Sequence, residues 1–107
     1  MTRFKNEEEK AAWMLAESLI ERARTMMRQA ESALESFTIG LELNRQRCHL
    51  RGIGPTDAEI RWSETSTARK ALADNSFAIS QAMMYYSAAA ANYSRALYLR
   101  SHEDAHV

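Results

Sequence analysis

The sequence predicts an all-α fold: a long antiparallel two-helix hairpin of coiled-coil type, associating into a four-helix or larger bundle. Three observations carry this. The three glycines and the single proline all fall between Gly40 and Pro55, and these are the residues that most disfavour a helix interior. Apolar residues recur at alternating steps of three and four on both sides of that stretch, which is the spacing of a helical seam. The interruption itself, Arg51-Gly52-Ile53-Gly54-Pro55-Thr56, lies at the middle of a 107-residue chain. The domain reading is one unit over residues 1–107: a helix over 6–50, a turn over 51–56, a helix over 57–101 and a frayed tail over 102–107.

The first helix begins at Asn6, an N-cap residue type, and Glu7, Glu8 and Glu9 place negative charge where the helix dipole favours it. One apolar row runs through Ala12, Leu19, Met26, Ala33 and Gly40, and a second through Ala16, Ala23, Ala30 and Phe37. A third row, Trp13, Ile20, Met27, Leu34, Leu41 and Cys48, flanks them. That stripe is wider than one neighbouring helix covers. Glu17, Glu21, Arg24, Arg28, Glu31 and Glu35 fall off these rows and form a solvated face.

In the turn, Gly52 suits the left-handed position just past a helix. Thr56-Asp57-Ala58-Glu59 has the form of a capping box, with Thr56 capping the second helix and Glu59 reaching back. In that helix Ala68, Asn75, Ala82, Ala89 and Ala96 form one row, and Leu72, Ile79, Tyr86 and Tyr93 the other. Asp74-Asn75-Ser76 is a candidate break. Folding the chain at the turn sets Phe37 against Leu72, Ala30 against Ile79, Ala23 against Tyr86 and Ala16 against Tyr93, so that small residues face large ones. Two layers, Ala33 with Asn75 and Gly40 with Ala68, are small on both sides. They require either a close approach of the helices or a side chain entering from another chain.

Once the seam is used, large apolar residues remain. Trp13, Ile20, Met27, Leu34 and Leu41 on the first helix, with Phe77, Met83, Met84, Leu97 and Tyr98 on the second, are the expected interface residues, because contiguous exposed apolar surface marks interaction sites. Met26, Met27, Met83 and Met84 suit core filling or an adaptable interface. Tyr85, Tyr86, Tyr93 and Tyr98, at helical spacing beside alanines, read as core or interface rather than as a base-stacking platform.

Chemistry-bearing patterns are sparse. His102-Glu103-Asp104-Ala105-His106 matches the H-E-x-x-H pattern, but only Val107 follows it. The third zinc ligand of such sites lies downstream, so His102 and His106 are adventitious metal binders at most. Cys48 and His49 are adjacent and diverge by about 100° on a helix, so they do not chelate together. No catalytic, cofactor or metal site is expected, and the chain is read as non-enzymatic. Lys+Arg and Asp+Glu both number 14, for a formal net charge of zero, which argues against a general nucleic-acid binder. Arg45, Arg47, Arg51 and Arg61 make a candidate basic tip, partly offset by Glu42, Asp57 and Glu59. The single cysteine excludes an intrachain disulfide. The charged N-terminus, MTRFKNEEEK, is not a secretory signal. Gln81, Asn92 and Arg95 interrupt residues 77–99, so no membrane span is expected there.

Length, two helical arms and a central turn resemble the small secreted WXG-type proteins of actinobacteria in architecture. Their motifs do not carry over. The turn reads Arg51-Gly52-Ile53-Gly54-Pro55 in place of Trp-x-Gly, Trp62 is followed by Ser63-Glu64, and the fourth residue after Tyr98 is His102 rather than an acid. Membership is not assigned. The expected function is that of a structural or assembly protein working through helix–helix contacts, with itself or within a larger particle such as a phage virion or secretion apparatus, in the cytoplasm or in the assembled particle. The alternatives are an adaptor that binds an amphipathic helix of another protein, and nucleic-acid contact through the tip.

Overall fold

A computed structural model describes residues 4–102 and forms three α-helices. These are α1 (Glu7–Leu50, 44 residues), α2 (Pro55–Ser63, nine residues) and α3 (Ser66–His102, 37 residues). The all-α class holds; the two-helix hairpin does not. The second arm, expected as one helix over 57–101, is two helices separated at Glu64-Thr65. The cause lies in Ser63-Glu64-Thr65-Ser66-Thr67, whose hydroxyls compete for backbone groups and favour caps over helix interiors. The Thr65 hydroxyl donates to the Trp62 carbonyl at 2.7 Å and accepts from the Ala68 N–H at 3.2 Å, ending one helix and capping the next. The candidate break at Asp74-Asn75-Ser76 is continuous helix.

Local signals elsewhere divide in the same way. Asn6 caps α1 as expected, its Oδ1 accepting from the Glu9 N–H at 2.8 Å. The end of α1 is a glycine stop. Gly52 sits at φ 76°, and the Ile53 N–H reaches back to the Cys48 carbonyl at 2.9 Å, the wrap that a left-handed residue past a helix permits. The capping box does not form. Gly54 is the N-cap of α2 without a side-chain cap bond, and Pro55 opens the helix. Its fixed φ and missing N–H suit that first position, which leaves Thr56 already inside the first turn.

The chain divides into two compact units. In the first, residues 4–26 run against residues 81–102. Its buried apolar residues are all alanine: Ala12, Ala16 and Ala23 on α1, and Ala82, Ala89 and Ala96 on α3. Trp13 meets Tyr93 edge to face at 5.8 Å, and the Arg22 guanidinium lies 6.0 Å over the Tyr85 ring. Glu8 pairs with Arg95 at 3.2 Å. Glu9, fully buried, is the largest fully buried side chain among the described residues.

The second unit, residues 27–80, buries Ala30, Cys48, Ala58, Trp62, Ala68 and Ala78. Trp62 of α2 lies directly over Gly40 of α1: a Cβ at Gly40 would fall 2.3 Å from the indole ring. Phe37 packs beside the same ring at 5.9 Å. The layer that looked empty at Gly40 and Ala68 is thus filled by an indole from the same chain. At the other small layer, the Asn75 amide donates to the Ala30 carbonyl at 2.7 Å.

Along α3 the first expected row is buried as read, but the second is not. Leu72, Ile79 and Tyr86 are exposed and only Tyr93 of that row is half-buried, while Ala78 is buried and Ala71, Tyr85, Asn92 and Leu99 are half-buried. At Ala71 and Ala78 the small methyl groups let two backbones approach closely, where the neighbouring Leu72 and Ile79 would hold them apart.

Candidate interaction surface

An alanine methyl gains about 0.8 kcal/mol on burial, against roughly 1.5–3 kcal/mol for a leucine, methionine or phenylalanine side chain. In both units most of the buried apolar residues are alanines, and many of the large apolar side chains are outside. The residues that could contribute most by leaving water therefore still lie in it, and this is the surface feature that dominates the molecule.

The expected interface residues separate into two groups. Trp13 is half-buried and committed within its own unit: its ring meets Tyr93 and its indole N–H donates to Glu9 at 2.7 Å. Ile20, Met27 and Leu41 are also half-buried beside the alanine rows. Leu34 is exposed, as are Phe77, Met83 and Met84 at 64% each, Leu97 at 54% and Tyr98 at 57%. Met14, Leu15, Ile39 and Leu43 are exposed as well, and the heptad reading of the sequence did not single them out. Their signal was their position off every row, among the charged residues of α1.

Charge separates the outward faces of the two long helices. Those of α1 carry Glu17, Glu21, Arg24, Arg28, Glu31 and Glu35. Between Asp74 and Arg95, α3 has no charged residue on any side. No described helix is long and apolar enough to cross a membrane.

Glu9 was read only as a helix-dipole residue, and its role as a buried tie was missed. Its Oε1 accepts from the Lys5 N–H at 2.8 Å, and its Oε2 accepts from Trp13 Nε1 at 2.7 Å and from Arg100 Nη1 at 2.9 Å. The Lys5 backbone N–H, followed by the Trp13 indole and the Arg100 guanidinium, outweighs burial and holds the carboxyl below its ordinary 4.5. The signal was present in Asn6-x-x-Glu9 with Trp13 one turn later. The chemistry is structural: every carboxylate bond goes to a group that positions the helices.

The remaining candidates carry little chemistry. Among the described residues no group of three His, Cys, Asp or Glu could hold a metal ion. His102 closes α3, and Glu103–His106 lie outside the described residues. Cys48 is buried and donates to Asn44 Oδ1 at 3.4 Å, the behaviour of a small core residue. Arg45 is half-buried and pairs with Glu59 at 3.3 Å, while Arg47, Arg51 and Arg61 are exposed. The tip therefore has part of its positive charge neutralised by its own acids. A groove of about 400 Å³ in the second unit is lined by Gln29, Ser32, Ala33, Ser36, Asp74, Phe77 and Ala78. Its serines have no histidine beside them to act as a base.

Comparison with protein-family models, with curated proteins and with solved structures finds no match to this chain. Its class therefore rests on its own fold and surface: an all-α protein with three helices among the described residues, many of whose large apolar side chains are exposed.

Proposed function

We propose that this chain is a non-enzymatic structural or assembly protein acting through helix–helix contacts, with itself or inside a larger particle. One observation carries the reading: alanines fill the interior while Phe77, Met83, Met84, Leu97 and Tyr98 are more than half exposed. Apolar surface of this extent marks an interaction site. The test is the solution mass of the pure chain by size-exclusion chromatography with light scattering. The expected result is a defined oligomer of the 12.2 kDa chain. Replacing Leu34 and Met84 together by glutamate is expected to lower that mass while the far-ultraviolet helix signal persists. A wild-type chain that stays monomeric and soluble overturns the self-associating form.

The second reading is an adaptor that takes up an amphipathic helix of another protein. It is favoured by the exposed methionines Met14, Met83 and Met84, since flexible thioether side chains adapt to varied partners. In that case the pure chain is polydisperse alone and becomes homogeneous only with its partner.

A further inference from the structure

The outward face of α3 within the first unit is a size palindrome. Met83 and Met84 stand at one end, and Leu97 and Tyr98 at the other. One turn inward on each side is a serine, Ser87 and Ser94. At the centre are Ala90 and Ala91. All eight are exposed, and none is charged. Their spacing keeps them on one side of the helix, opposite the buried Ala82, Ala89 and Ala96.

We propose that this face binds the same face of a second copy, α3 against α3, antiparallel, with the two-fold axis at Ala90–Ala91. The proposal rests on the self-associating reading above and names the surface that carries it. A two-fold interface requires one patch to complement itself, and a palindrome does so. Each residue meets its mirror position: Ala90 meets Ala91, Ser87 meets Ser94, Met84 meets Leu97, and Met83 meets Tyr98. Small residues then lie where the helices cross and are closest, and large ones fill the space where they diverge. The chain already packs its own helices on alanine in this way. Area agrees with the choice. With more than half of each large side chain outward, the four offer roughly 100 Å² apiece. With the small residues between them, complete coverage of this face on two copies corresponds to on the order of 1,100 Å² in total, the size of a small specific interface. A partner of opposite charge is disfavoured, because this face has no charge to attract it.

The experiment uses the full chain with Cys48→Ala, carrying a single cysteine at Ala90 or at Ser80. In the antiparallel pair the two Ala90 positions lie side by side across the axis, whereas the two Ser80 positions are about 30 Å apart. Under mild oxidation Ala90→Cys is expected to form a covalent dimer of twice the 12.2 kDa mass at least about tenfold faster than Ser80→Cys. Ala91→Glu, at a site exposed in the single chain, is expected to raise the dimer dissociation constant by at least about tenfold with helicity unchanged. Equal cross-linking at Ser80 overturns the antiparallel arrangement. A wild-type oligomer that neither cross-links at Ala90 nor weakens with Ala91→Glu overturns the α3 pairing alone and leaves self-association standing. A wild-type chain that is monomeric at about 100 μM overturns both.

Discussion

Where one compact unit places a carboxylate, the other places an indole. In the first, Glu9 sits fully buried and collects bonds from Lys5, Trp13 and Arg100. In the second, Trp62 lies on Gly40 with Phe37 beside it. Both units otherwise bury mainly alanine, which brings helices close but contributes little per residue. Each therefore adds one large side chain that alanine cannot replace. The charged tie depends on pH and on partners aligned along their bonds. The aromatic one depends on shape, and on a glycine that leaves room for it.

The aromatic contact carries the largest expected effects. Trp62→Ala empties the space over Gly40 and is expected to cost about 3–5 kcal/mol in urea unfolding, in the range of large-to-small aromatic deletions. Gly40→Ala pushes a methyl into the indole, 2.3 Å from its ring, and is expected to cost about 1–3 kcal/mol, as overpacking does. If it is neutral, the indole does not rest where described. Thr65→Ala removes the cap between α2 and α3 and is expected to cost about 1 kcal/mol.

The charged side is read as a slope rather than a size. The Glu9 carboxyl titrates below its ordinary 4.5 in the folded chain, so its contribution is complete above that value and is lost as pH falls through the lower, folded one. Thermal midpoints measured from pH 6 downward are expected to fall below about pH 4.5. Glu9→Gln is expected to flatten that fall, whereas Gly40→Ala leaves its slope as in the wild type. Identical acid profiles for Glu9→Gln and wild type would remove Glu9 from the account.

Much of the local structure was legible from residue types. Asn6 as a cap, Gly52 as the left-handed stop and the uninterrupted run to Leu50 each follow from chemistry within a few residues. What failed did so for identifiable reasons. Thr56 had the pattern of a cap, but Pro55 already satisfied the first helical position. The single helix expected over 57–101 passes through Ser63–Thr67, where the Thr65 hydroxyl instead serves both neighbouring helices at once. Of the expected interface residues, Leu34, Phe77, Met83, Met84, Leu97 and Tyr98 are exposed, while Trp13 is engaged by Glu9 and Tyr93.

By itself the sequence determined the all-α class, the bounds of α1 and the alanine row of α3 through Ala68, Ala82, Ala89 and Ala96, because propensity, capping and period act over one or two helical turns. Only the tertiary structure decided that Ala78 rather than Ile79 turns inward, that Trp62 fills the notch at Gly40, and that Glu9 is buried. Those outcomes depend on how closely two helices approach. That distance is set by residues far apart in the chain, and hydrophobicity alone, which favours the larger row, points the wrong way.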